Sequence, residues 1–389
     1  VADLVPEPLL VGIYGIAVTP GMVRLVLDTR AAGICLLRRN IDSPPQVSEL
    51  VARLEREVGR RLLVAVDHDG GSRSPFTRGV TFFPGFPALA RTGNPDLARE
   101  AGRELGRELV EMGIELNLAP VSQLGALAEP FERGAAEAGM LSLRVSPDLS
   151  GTGGPADGEV GRVLEEGVDL GLLLHDEAAI RRWARRIAAR GPAGGDTGRW
   201  KTVFGSLGAR SRVSDPGDPG DAGEVARRIA GAAIHLERDP RKLIPLKPGR
   251  RMGVFVPRLA EIADRATIED RLLSPIDFLK EEIPRGFAPL ELREGPLEGS
   301  EAMDVLHLTW IRPPETVVVF LVDPEKFPSE RRLLDRLERQ SGEVVAVVMG
   351  EDPRPLAAGE ATTVLRTWGF RSCQLSAAVR VLFAGAGGP

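Results

Sequence analysis

Leu63-Val-Ala-Val-Asp67-His68-Asp69-Gly70-Gly71 is a short apolar run that stops abruptly in acidic residues and glycine. Four consecutive apolar residues suit a strand covered on both faces, and the Asp/Gly cluster that ends them suits a turn. The same pattern recurs on either side. Runs at Leu9–Val18, Gly33–Arg38, Ile114–Pro120, Met140–Ser146 and Val168–Leu174 read as further strands, with helical stretches at Pro45–Val58 and Pro95–Met112 between them. The second helix has Asn94 as its cap, Pro95 at its first position and Gly113 just past its end. Alternation of buried strands with helices predicts a parallel α/β sheet. Polar residues gather where the strands end: Arg38-Arg39-Asn40, Asp67-His68-Asp69, Ser122-Gln123, Asp148 and His175-Asp176. In a (β/α) barrel that is the ligand-binding face.

A breaker-rich stretch, Gly191–Gly223, follows, and a second α/β pattern begins near Glu224. A helix at Glu224–Leu236 leads to strands at Met252–Val256, Thr316–Asp323 and Glu343–Met349, with helices at Ser329–Gln340 and Leu375–Phe383. The expected architecture is an α/β chain: an incomplete or rearranged TIM-type (β/α) barrel over 1–205, a linker over 206–223, and a smaller α/β sandwich-like domain over 224–389. Six strands in roughly 205 residues fall short of the eight strands and about 250 residues of a whole barrel. An open parallel edge then needs a cover, which would be a partner protein or a second copy of the chain.

Composition excludes several classes. A net charge of −5 argues against nucleic acid or an anionic membrane as partner. The run Leu9–Val18 is too short to span a bilayer. The sequence begins at Val1; cytoplasmic is the default expectation, with a trimmed leader left open. Cys35 and Cys373, far apart in apolar stretches, read as packed thiols, and no spacing suggests a metal or a cofactor. The arginine-rich stretch Ala178–Arg190 places Ala179, Ile180, Trp183, Ala184 and Ile187 at helical spacing, so it reads as an amphipathic helix with a solvated basic face. The glycines of Gly151–Gly161 make no phosphate loop, since no Gly-Lys-Ser/Thr follows.

Several stretches together resemble glycoside hydrolase family 3, in its β-N-acetylglucosaminidase branch. Gly33-Ile-Cys-Leu-Leu-Arg-Arg-Asn-Ile41 resembles the family's second-strand motif, and Asp67-His68-Asp69-Gly70-Gly71 its third-strand signature, usually Asp-Gln-Glu-Gly-Gly-x-Val-x-Arg. Phe82-Phe83-Pro84-Gly85-Phe86-Pro87 stands where the family has a Phe-Pro loop. Leu105-Gly-Arg-Glu-Leu-Val-Glu-Met-Gly-Ile114 and Asn117-Leu-Ala-Pro-Val121 resemble its fourth-strand region, and Gly167-Val-Asp-Leu-Gly-Leu-Leu-Leu174 its late barrel strand. Val225-Ala-Arg-Arg-Ile-Ala-Gly-Ala-Ala-Ile234, Leu243-Ile-Pro-Leu-Lys-Pro248 and Val364-Leu-Arg-Thr-Trp-Gly-Phe370 are similar to its C-terminal domain. The resemblance spans most of the chain except about 122–160 and 190–222.

This resemblance implies a retaining mechanism, with an aspartate nucleophile in a Thr/Ser-Asp-Asp-Leu motif and a His/Asp acid/base on a Lys-His-Phe-Pro-Gly-His-Gly loop. Retention needs both groups, about 5–5.5 Å apart across the scissile bond. The sequence departs at both. No such His loop is present, and in Val145-Ser146-Pro147-Asp148-Leu149-Ser150 proline stands at the nucleophile's place. Gln123 replaces an expected Asp, and Pro75 an expected Arg. The expected ligand is an amino sugar or glycan, held by Asp67 with Arg38 and Asn40 supporting the pocket. Weaker catalytic candidates are Asp148, Asp69, His68 and His175. Against each stands a plainer reading: a turn cap for Asp148, a hydrogen-bonded structural role for His68, a strand-ending turn for Asp67 and Asp69. His175 and Asp176, adjacent on extended backbone, point apart. The leading expectation is a family 3 relative that has lost hydrolysis and binds a sugar or a partner protein. Its alternatives are a working glycosidase with relocated residues, and a structural role through the open edge.

Overall fold

The computed structural model describes residues 6–148, 168–175, 177–190, 220–287, 290–295, 297 and 314–383, with backbone alone at 147, 148, 186–190, 220 and 221. Two six-stranded sheets organise it.

The first sheet runs in the order β4-β3-β2-β1-β6-β5 and is parallel throughout. Its strands are β1 (Glu7–Gly12), β2 (Ala31–Leu36), β3 (Leu63–Val66), β4 (Leu116–Asn117), β5 (Val145–Asp148) and β6 (Leu170–Leu173). Alternate side chains serve two cores. Leu9, Val11, Ile34, Leu36, Val64 and Val66 face the surrounding helices. Leu10, Cys35, Leu63, Ala65, Leu116 and Leu172 face inward, as barrel strands do.

The sheet is an open half-barrel, and one segment of the same chain ties its two edges. Leu141 bridges in parallel to Leu116 of β4, donating its N–H to the Glu115 carbonyl at 2.7 Å. A few residues on, Arg144 and Val145 pair with Asp169 and Leu170 beside β6. Inward side chains near this tie surround a cavity rather than a packed barrel core.

Helices α1 (Pro20–Thr29), α2 (Pro44–Val58), α3 (Phe86–Thr92), α4 (Pro95–Glu111), α5 (Ala128–Glu137), α6 (Glu177–Arg190) and α7 (Gly220–Ala233) clothe the outer face. Asn94 caps α4 as the sequence suggests, its Oδ1 accepting from Asp96 N at 3.0 Å and Leu97 N at 3.1 Å. Gly113 follows with φ 82°. α4 and α5 cross backbone to backbone. A Cβ at Gly102 would lie 2.0 Å from the Phe131 carbonyl oxygen, and one at Gly134 would lie 1.9 Å from that of Arg99. In α6, Ala179, Ile180, Trp183 and Ala184 are buried, as their spacing predicts.

The second sheet has the order β7-β12-β11-β10-β8-β9. It comprises β7 (His235–Arg238), β8 (Met252–Pro257), β9 (Leu290–Gly295), β10 (Thr316–Leu321), β11 (Glu343–Val348) and β12 (Thr363–Arg366), and only the β7–β12 pair is antiparallel. Helices α8 (Pro275–Glu282), α9 (Pro328–Gln340) and α10 (Ser372–Phe383) accompany it.

Several expected boundaries need correction. The first strand ends at Gly12 rather than Val18, and Thr19-Pro20 starts α1: Thr19 Oγ1 accepts from Met22 N at 3.3 Å, and Pro20 occupies the first turn. Of Met140–Ser146, only the end is strand, because β5 begins at Val145. The helix expected at Glu224–Leu236 is α7, which stops at Ala233, and its last residues instead form β7, paired with β12. α7 lays Ala222, Val225, Ala226, Ile229 and Ala233 into the core of the first sheet. Both cysteines are free thiols, and among the described residues no helix is long and apolar enough to cross a membrane.

Candidate functional site

β3 delivers the central turn. Asp67, immediately after the strand, is exposed and lines the mouth of a cavity of about 480 Å³ that continues into the half-barrel. Its carboxylate accepts no hydrogen bond among the described residues. Its pKa is raised, chiefly because surrounding protein displaces water and secondly through the nearby Asp69 carboxylate, while Arg73 opposes the shift.

The next residue turns away. His68 is 2% exposed and stacks edge-on against Phe76 with ring centres 5.1 Å apart. Burial, reinforced by the Arg371 charge, pushes its pKa down to about 3, so the imidazole is neutral at ordinary pH. Nδ1 has no hydrogen-bond partner. Asn117 pins the His68 backbone from both sides, its Oδ1 accepting from His68 N at 3.1 Å and its Nδ2 donating to His68 O at 2.8 Å. Asp69 is also buried. It accepts from Gly71 N at 2.9 Å, closing an Asx turn, and from Arg73 at 3.3 Å.

At the end of β2, Asn40 is fully buried and spent on backbone. Its Oδ1 accepts from Leu37 N at 2.9 Å, and its Nδ2 donates to Ile13 O at 3.0 Å and Gly15 O at 3.1 Å. It ties the 13–15 segment to the end of β2 and does not line the cavity. Arg38 reaches the second domain, donating to Thr267 Oγ1 at 3.2 Å and the Ala263 carbonyl at 3.3 Å. His175 lies exposed at the end of β6, and its carbonyl accepts from the Tyr14 hydroxyl. The backbone of Asp148 pairs with Leu172, while its side chain and all of Asp176 lie outside the described residues. No cluster of three or more His, Cys, Asp or Glu able to hold a metal occurs among the described residues.

Two features were missed in the sequence. Tyr14, the chain's one tyrosine, is 48% exposed on this face and has the Arg39 guanidinium 4.3 Å from its ring centre. It lay inside what read as a strand. The second is Arg371, which is 2% exposed and follows β12 of the second domain. Its guanidinium donates to Gly70 O at 2.8 and 3.1 Å, to Gly71 O at 2.5 Å and to Thr267 O at 3.1 Å. Thr267 adds an N–H to Ser72 O at 2.7 Å and its hydroxyl to the Ser74 carbonyl. The turn after Asp67 is thus held by the other domain.

Residues 15–132 match the glycosyl hydrolase family 3 N-terminal domain. A β-hexosaminidase of Thioalkalivibrio sulfidiphilus is 36% identical over 126 residues, which is 30% of this chain and 35% of that protein. One from Idiomarina loihiensis is 30% identical over 155 residues, 34% of this chain and 47% of the relative. The match therefore spans about a third to a half of these curated relatives. Among solved structures, a family 3 β-N-acetylglucosaminidase from a Paenibacillus species superposes with a TM-score of 0.77 at 18% identity, over 97% of this chain and 95% of that one. A fungal multi-domain family 3 β-N-acetylglucosaminidase gives 0.74 at 15% identity, over 97% and 58%. At such identities the structural likeness is one of fold. Residues 15–132 are thus similar to the N-terminal domain of glycosyl hydrolase family 3, and most of that stretch to β-hexosaminidases.

Proposed function

We propose that this protein binds an amino sugar at the mouth of the half-barrel and does not hydrolyse it. What carries the proposal is the division between Asp67 and its neighbours. Asp67 presents an unpartnered carboxylate to the cavity, whereas His68 and Asp69 are buried in the turn behind it. A neutral imidazole with its pKa near 3 has no proton to give at ordinary pH, and it does not line the cavity. The sequence supports the same reading, with no acid/base His loop and with Pro147 at the nucleophile's place. Removing one catalytic group typically costs several orders of magnitude in rate. A sugar hydroxyl donating to Asp67 needs neither group.

A second reading rests on one observation. The raised pKa of Asp67 is what a proton donor requires, which keeps a relocated hydrolytic role in play. Hydrolysis of a fluorogenic β-N-acetylglucosaminide by highly purified protein, beside calorimetric binding of N-acetylglucosamine, separates the two. The proposal expects no turnover above background and binding that weakens at least tenfold in Asp67→Asn. Turnover abolished by Asp148→Asn or Asp67→Asn would overturn it.

A further inference from the structure

The cavity behind Asp67 is unlike a site made for sugar alone. Its walls are largely apolar, with Leu118, Leu141, Leu143 and Leu172 among them. Its exposed polar side chains, Asp67, Glu132 and Ser142, lie toward solvent, and the less exposed ones are committed elsewhere. Asn117 spends both amide atoms on the His68 backbone, and Ser146 Oγ accepts from Leu172 N at 3.0 Å. A pyranose pushed into this space would bury hydroxyls against apolar carbon, at about 1–3 kcal/mol for each left unpaired. At the mouth, by contrast, Asp67 offers an open acceptor. The cavity is polar at one end and apolar in depth, and its 480 Å³ lies in the range of small-molecule pockets.

We infer that the half-barrel takes an amphiphilic glycoside, with the sugar at Asp67 and an alkyl or comparable apolar chain extending from it between β4, β6 and the tying segment. This rests on the amino-sugar reading and specifies the ligand's class. Where a complete barrel packs layers of side chains, the described residues here leave an apolar space beside the bridge at Leu141.

The test is a chain-length series of methyl, butyl, hexyl and octyl N-acetyl-β-D-glucosaminides, titrated below their micellar concentrations by calorimetry, with 1-hexanol as a tail without a head. Burial of each methylene should tighten Kd by about two- to fourfold until the cavity fills. Leu118→Gln and Leu143→Gln, at partly exposed positions that leave the circular dichroism unchanged, should flatten that slope. Asp67→Asn should weaken every glycoside by one common factor and leave the slope intact. A methyl glycoside that binds as well as the octyl one overturns the inference while leaving the amino-sugar reading standing. Hexanol binding as tightly as hexyl glycoside, unaffected by Asp67→Asn, would keep the apolar cavity and sink the sugar reading. No binding by any probe refutes both.

Discussion

Replacing Arg371 by methionine should cost the protein about 3–5 kcal/mol and loosen the Asp67 turn. The guanidinium makes four hydrogen bonds to three carbonyl oxygens, on Gly70, Gly71 and Thr267, with no carboxylate within bonding distance among the described residues. Bonds from a charged donor are worth about 1.5–3 kcal/mol each, so a simple sum of about 6–12 would rival a whole domain's stability. The sum overstates the loss, because methionine also removes a desolvated cation whose pKa burial already pulls down. What remains is the cost of the Gly70 and Thr267 carbonyls losing their donors, while the Gly71 carbonyl keeps Ser74 N at 3.0 Å, offset partly by water entering the space. Breaking one side of a buried charged arrangement typically costs about 3–5 kcal/mol. Arg371→Lys should recover less than half, since an ammonium cannot reproduce the planar fork that serves all three acceptors. The assay is urea unfolding followed by far-ultraviolet circular dichroism and tryptophan fluorescence, with hydrogen exchange read at the amides of residues 70–74. Trp368 helps as a reporter because it packs against the first domain's core. A loss below about 1 kcal/mol with unchanged exchange would refute the clamp.

Two further expectations concern pH. His68 has a folded pKa of about 3 against an unfolded value near 6.5, so the stability it confers is present above pH 6.5 and is lost as pH falls toward 3. His68→Phe, which keeps the edge-on contact with Phe76, should flatten the acid limb of a melting-temperature profile; an unchanged limb would contradict the assignment. Glu330 runs the other way. Burial raises it to about 8 although its two oxygens accept from Val322 N at 2.7 Å and Asp323 N at 2.8 Å. Its stabilisation is complete below about pH 4.5 and lost as pH rises through 8. Glu330→Gln should therefore destabilise most below about pH 4.5, and the gap to wild type should narrow as pH rises from there through 8. A gap that widens with pH would show that the two N–H donors outweigh desolvation.

Legibility followed burial. β2, β3, β10 and β11 are buried nearly end to end, and each reads as an unbroken apolar run. β9, whose sequence Leu-Glu-Leu-Arg-Glu-Gly is only half-buried on an edge, gave no such signal. β7 and β12 are four residues each, too short for periodicity to register. Asp67 was legible as the polar residue that stops a buried strand. The clamp was not, because Gly70 and Arg371 lie 301 residues apart and nothing local to either announces the other. Tyr14 was hidden by glycine spacing that mimics a broken strand, when the chain in fact leaves the strand after Gly12 and turns at Gly15, whose φ is 94°.

The motifs that remain recognisable and those that do not fall on different physical demands. Gly71 and Gly85 belong to the two loops that resemble family 3 most plainly, and both abut one carboxylate from the second domain. A Cβ on Gly71 would lie 2.8 Å from Glu351 Oε1, and one on Gly85 would lie 3.0 Å from it. Glu351 follows β11, and burial together with the Asp69 charge raises its pKa. Gly70, in the same turn, carries the carbonyl that takes two Arg371 bonds and adopts φ 80°, where a side chain would be strained. These glycines are needed to join the domains whether or not a bond is cut. Under the reading proposed above, binding a sugar without cutting a bond still requires Asp67 to be fixed at the mouth of its cavity. The turn glycines and the Arg371 clamp meet that requirement, and no group that serves only the reaction is needed for it.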